Sequence, residues 1–121
     1  MSQIIVRYKV KPDQGDINEQ FVKRVFAELK ETAPAGIRYG TLRLEDGVTF
    51  VHIASVETPD GSNPLPELAA FKEFQAGLKE RCEKSPNPTP GTIVGTYGIF
   101  DWITRQSPPP GGKSIWRKTI Y

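Results

Sequence analysis

"GIRYGTLRLEDGVTFVHIASVE", residues 36–57, is the stretch on which the fold turns. Two runs rich in β-branched and aromatic residues flank an Asp46-Gly47 pair, a strong hairpin signal. A two-residue turn at Asp46-Gly47 places Thr41 opposite His52, whereas a three-residue Glu45–Gly47 loop with left-handed Gly47 places Gly40 there. The second register segregates apolar residues better and is preferred on that ground. It gathers Leu42, Leu44, Val48, Phe50, Ala54 and Val56 on one face, with His52 and Arg38 sharing the helix-facing side. Tyr39, Thr41, Arg43, Val51 and Ile53 then lie on the other face.

Working outward, "QIIVRYKVK" (3–11) alternates as a strand, with Val6, Tyr8 and Val10 on one face and Ile5, Arg7 and Lys9 on the other. "DINEQFVKRVFAELKE" (16–31) carries Ile17, Phe21, Val25, Phe26 and Leu29 at helical spacing. Asp16 and Glu19 have the spacing of a capping box, and Pro34 and Gly36 stop the helix. After the hairpin, "ELAAFKEFQAGLKERCEK" (67–84) predicts a second helix with Leu68, Phe71, Phe74 and Leu78 inward. "TIVGTYGIF" (92–100) predicts a fourth strand. The order β-α-β-β-α-β is the ferredoxin-like α+β fold, with a four-stranded antiparallel sheet under two helices.

The expected domain covers residues 1–100, and 101–121 form a Pro/Gly-rich basic C-terminal tail. Helices cover one face of the sheet, and the other retains Ile5, Ile37, Tyr39, Val51 and Ile53. A face that apolar calls for a cover, and a second copy of the chain supplies it most simply, which predicts a homodimer through sheet faces.

Charge narrows the partners. Residues 1–100 hold 12 Lys/Arg against 13 Asp/Glu, while 101–121 hold four basic residues against Asp101. The body lacks the basic excess of a nucleic-acid binder, so no nucleic-acid partner is expected. No apolar run approaches the roughly 20 residues of a membrane span. The start "MSQIIVRYKV" does not read as a secretory signal, and one cysteine, Cys82, forms no intrachain disulfide. A cytoplasmic location without membrane attachment is the expectation. One histidine and one cysteine make no standard zinc cluster, so no metal is expected. "GGKS" (111–114) imitates the end of a phosphate loop, but the glycine required five residues before Gly112 is Ser107.

"IVRYKVKPD", the 36–57 hairpin and "ELAAFKEFQAGL" together resemble the antibiotic-biosynthesis-monooxygenase-like domain of the dimeric α+β-barrel superfamily. The resemblance spans about residues 3–100. It implies a cavity between sheet and helices, and in some relatives oxidation of aromatic substrates without metal or flavin. Others degrade haem. Two departures stand out: the third strand ends "SVE", where many relatives have tryptophan, and "PLPELAAF" lacks the histidine that many have before the second helix. The second departure removes the natural haem ligand, so no cofactor is expected.

The function these readings support is a small-molecule-binding homodimer, with cofactor-independent monooxygenase activity on an aromatic or enolisable metabolite. The alternative is a non-catalytic ligand-binding or stress-associated dimer. His52 is the candidate catalytic base, because imidazole titrates near neutrality. Tyr39, Tyr97, Arg38, Phe71, Phe74 and Asn63 are candidates for binding a small aromatic ligand. Against each stands a plain structural role: His52 as a hydrogen-bonded core residue, the tyrosines and phenylalanines as packing, Asn63 as a turn former.

Overall fold

The computed structural model describes residues 2–97, leaving out the side chain of Ser2. Four strands and two helical segments, the second of them broken, follow in the expected order. β1 is Ser2–Val10, α1 Gly15–Thr32, β2 Ile37–Arg43 and β3 Thr49–Val56. A 3₁₀ turn at Leu65–Glu67 leads into α2, Ala69–Ala76, and α3, Leu78–Arg81. β4 is Cys82–Gly91. The sheet is antiparallel with order β2-β3-β1-β4, so β1 and β3 are central. This is the ferredoxin-like α+β fold.

The core lies between sheet and helices. Tyr8, Val10, Val22, Val25, Phe50, Phe74 and Leu78 form one buried cluster. Full burial of such side chains is worth about 1.5–3 kcal/mol each. α1 is turned slightly from the expected stripe. Asn18, Val22 and Val25 are buried, while Ile17 is exposed.

The cap of α1 also differs from expectation. Gln14 holds the N-cap position without a side-chain bond. Asp16 and Glu19 instead both accept from Arg43 Nη1, at 3.0 and 2.7 Å. Arg43 Nε also donates to the Gly47 carbonyl at 2.9 Å. The start of α1 is thus tied to the β2–β3 turn rather than to itself. A side chain at Gly15 would collide with the Gly47 carbonyl and the Arg43 guanidinium, so glycine is needed for this approach.

The hairpin register is the one with Thr41 opposite His52, and Gly40 pairs with Ile53. This corrects the preferred Gly40–His52 pairing. The cause is local. Leu44 N–H donates to the Thr49 carbonyl at 2.8 Å, and Gly47 N–H to that of Leu44 at 2.9 Å. Asp46 then accepts from the backbone N–H groups of Val48 and Thr49 and from the Thr49 hydroxyl. Gly47 takes φ 77°. An aspartate-centred turn therefore sets the register, overriding the segregation rule. Tyr39, Thr41 and Arg43 join His52 and Phe50 on the helix side. Arg38, Gly40 and Leu42 move to the open side with Val51, Ile53 and Ser55.

The second helix is shorter than expected, and the fourth strand comes earlier. The helix breaks at Gly77 and ends at Arg81, and residues 92–97 form no strand. Residues 98–100, the end of the predicted strand, and the tail 101–121 lie outside the described residues. β4 carries Pro86, Pro88 and Pro90, a composition that argues against a central strand. It is tolerated because β4 is an edge. Pro88 pairs with Val6 and Pro90 with Ile4, two residues apart, so both ring nitrogens face away from β1. Pro86 falls where the register shifts between Arg7 and Lys9. The prolines also leave the outer edge short of donors for a further strand.

Candidate functional site

His52 stands at the middle of β3 and is 4% exposed. Three aromatic rings enclose it: Tyr8, Tyr39 and Phe74, with centroids 5.3, 5.7 and 5.5 Å away. Nε2 lies 2.8 Å from the Tyr8 hydroxyl. Nδ1 lies 2.7 Å from the Tyr39 hydroxyl and 3.0 Å from Thr41 Oγ1. The observed register makes the last contact, since Thr41 is the direct cross-strand neighbour of His52.

The bonds continue beyond the imidazole. Asn18 Nδ2 donates to the Tyr8 hydroxyl at 2.8 Å. Asn18 Oδ1 accepts from Arg81 Nε at 3.1 Å. Arg81 Nη2 donates to the Phe74 carbonyl at 2.8 Å. Its guanidinium also lies over the rings of Phe21 and Phe74, 4.4 and 5.7 Å from their centroids. Among the described residues, no carboxylate lies within ion-pair distance of Arg81. One polar chain thus crosses the core from α3 through α1 and β1 to β3 and β2. Every buried side-chain nitrogen and oxygen in the described region has a partner.

Burial sets the protonation of these groups. Desolvation pulls His52 down from 6.5 to about 4, so the ring is neutral at pH 7. Desolvation also pushes the Tyr8 and Tyr39 hydroxyls well above the ordinary tyrosine range, so both are protonated. Burial lowers the Arg81 pKa from its high starting value. The two ends of the chain differ in access: Tyr8 and Arg81 are buried, while Tyr39 and Thr41 are half-buried.

Two elements bring Phe74 onto His52. The Glu28 carboxylate of α1 accepts from Ala70 N–H at 2.8 Å and Ala69 N–H at 3.3 Å, capping α2 from a neighbouring helix. Gly77 then breaks the helix and lets α3 return Arg81 beneath Phe74.

The expected site residues divide. Tyr39 and Phe74 meet His52, and Phe71 packs against Phe74 at 5.9 Å. Arg38 is exposed on the opposite face from His52, contrary to the expected register. Tyr97 follows β4 and is 98% exposed. Asn63 accepts from Leu65 N–H at 3.0 Å and forms the turn into the 3₁₀ segment. Phe71 also helps line an open depression of about 490 Å³ with Pro66, Lys72, Gln75 and Ala76. His52 is not part of that wall. No group of three His, Cys, Asp or Glu side chains among the described residues is placed to hold a metal ion.

Sequence reading passed over Tyr8 as a partner of His52, and over Asn18 and Arg81, while Thr41 stood opposite His52 only in the register that was not preferred. Two of these left a trace. Asn18 precedes Val22, Val25 and Leu29 at helical spacing, and Arg81 follows Phe74 and Leu78 in the same way. Each is a polar residue in an apolar ladder.

The fold is the ferredoxin-like α+β fold that solved structures of antibiotic biosynthesis monooxygenases also adopt. A crystal structure of an antibiotic biosynthesis monooxygenase matches with TM-score 0.64 at 16% identity, over 78% of this chain and 100% of the other. A candidate enzyme of this name from Nitrosomonas europaea matches with TM-score 0.64 at 15% identity, over 77% and 89%. Another from Caulobacter crescentus matches with TM-score 0.61 at 20% identity, over 78% and 90%. No protein-family profile and no curated protein matches the sequence. The likeness is one of fold, as the sequence resemblance implied. No described helix is long and apolar enough to cross a membrane.

Proposed function

We propose that the chain is a small-molecule-binding homodimer that oxidises an enolisable aromatic compound with molecular oxygen, using no metal or organic cofactor. The observation that carries this reading is the buried polar chain through His52, which opens toward a half-buried end at Tyr39 and Thr41. A buried polar network inside an apolar core is costly unless every member is satisfied. Here it is built from five elements and ends at two half-buried side chains, Tyr39 and Thr41. Phe71 and Phe74 supply apolar wall on the same side.

In this reading the substrate meets Tyr39 and Thr41 first. His52 acts one bond behind them, because its ring is enclosed and both nitrogens are engaged. A ring held at about 4 is also a weak base at pH 7. Its contribution is to orient and polarise the hydroxyls that hold the substrate's enolate oxygen. The substrate gives up its C–H proton to water, and the enolate then gives its electrons to oxygen. A ring CH₂ becomes C=O, one oxygen atom stays in the product and the other leaves as water. Arg38, Asn63 and Tyr97 take no part in this site.

Anthrone, an enolisable aromatic, tests the proposal: oxygen uptake and anthraquinone formation should exceed the uncatalysed rate. Tyr39→Phe keeps the ring and should lower kcat by about tenfold to a hundredfold. Turnover that is absent while anthrone still binds saturably would favour the alternative, a non-catalytic ligand-binding dimer.

A further inference from the structure

The polar chain has a direction. Arg81 Nε can only donate, so the Asn18 carbonyl must face it. The Asn18 amide must then turn its N–H toward Tyr8, whose oxygen accepts it. Tyr8 has one proton of its own, and within the described region His52 Nε2 is the group placed to take it. If Nε2 carried a proton instead, the Tyr8 oxygen would receive two donors. Its own proton would then be left without an acceptor in a site that is 2% exposed. At the other end Nδ1 meets two hydroxyls, those of Tyr39 and Thr41, and among the described residues no fixed donor lies behind either.

From this asymmetry we infer that Arg81, Asn18 and Tyr8 are positioning residues that hold His52 as the Nδ1–H tautomer, so the chain ends on a hydroxyl proton of Tyr39. His52 Nδ1–H donates to Tyr39, whose oxygen is 2.7 Å away. Tyr39 then offers its proton outward. What completes the chain is an acceptor oxygen, best an anionic one. The chain starts from a buried guanidinium with no carboxylate beside it in the described region, and every dipole along it points the same way. The ligand class that fits is an enolate, phenolate or carboxylate, not an amine or a metal cation. That part of the inference rests on the proposed ligand site; the tautomer does not.

His52 is the single histidine of the chain, so selective ¹⁵N-histidine labelling gives one imidazole. Nε2 couples strongly to both ring C–H protons and Nδ1 to one of them, which assigns the two nitrogens. In the full-length protein without ligand at neutral pH, the proton should sit on Nδ1, with Nε2 unprotonated. Asn18→Asp removes the donor to Tyr8 and supplies a carboxylate that both Arg81 and the Tyr8 hydroxyl can bond. The Tyr8 proton should then turn to residue 18, and the imidazole proton should move to Nε2. A wild-type ring protonated on Nε2 overturns the inference, with no variant needed. So does an Asn18→Asp protein that keeps the proton on Nδ1. Because no ligand is present, neither result depends on whether anthrone is turned over.

Discussion

Val51 and His52 are neighbours in β3 and face opposite ways, and the two sides of the sheet they serve are built on opposite plans. The helix side hides a continuous polar chain inside an apolar core. The open side shows apolar residues where water would be expected, with Leu42 53% and Ile5 42% exposed beside Val51 and Ile53. Neither arrangement is what a lone folded chain needs. Polar groups are costly inside, and a contiguous apolar face is costly outside. The proposed function gives each side something to meet: a ligand at the end of the polar chain, and a second copy on the open face.

The open side gives the larger test. A charge on the proposed dimer face would have to be buried without a partner. Leu42→Asp should therefore weaken self-association by about a hundredfold or more, seen by light scattering as a change from two-chain to one-chain mass. A wild-type protein already monomeric at high concentration would remove this half of the comparison.

The helix side responds to pH. The folded His52 pKa of about 4 lies below the ordinary 6.5, so the unfolded chain takes up the proton first as pH falls. The contribution of the neutral His52 ring to stability is complete above pH about 6.5 and is lost as pH falls toward about 4, by about 3 kcal/mol in all. Urea denaturation across this window should show the slope, and His52→Gln should lack it. An equal slope in both proteins would mean that the buried ring is not the cause.

Asn18→Leu should cost about 2–3 kcal/mol in the same measurement, because it strips the Arg81 Nε of its acceptor and Tyr8 of its donor. A surface position on the same helix, such as Lys23→Leu, should cost far less. Equal losses would mean that the polar chain contributes nothing beyond packing.

The contrast between the two sides also explains what could be read from sequence. The β-α-β-β-α-β order, α1 and the Asp46-Gly47 hairpin were legible, because apolar periodicity and a turn signal agree there. The apolar open side was legible too, except that Tyr39 and Ile37 leave it and Leu42 enters with the observed register. That register was the two-residue-turn alternative, ranked second because segregation of apolar residues assumes an apolar core, and this core is polar at its centre. Asp46 sets the pairing through three hydrogen bonds that composition does not reveal. β4 was missed for a related reason. "TIVGTYGIF" has the composition of a strand, but "CEKSPNPTPG" follows the break at Gly77 and reaches the free edge of β1 first. At an edge its prolines are harmless. Around the polar chain, His52, Tyr39 and Phe74 were named from the sequence, with Tyr39 expected on the face away from His52; the partners that give the chain its direction, Asn18 and Arg81, come from two helices far apart in sequence. Only the folded arrangement brings them into line.

The central claim is that the polar chain ends in a ligand site. The most direct measurement is a titration of the ¹⁵N-histidine-labelled protein with 1-naphthol, a small phenol. The His52 ring signals should shift saturably, and the shift should be lost in Tyr39→Phe, which lacks the terminal hydroxyl. Ring signals that stay fixed as 1-naphthol is raised to its solubility limit would contradict the account and leave His52 a satisfied residue of the core.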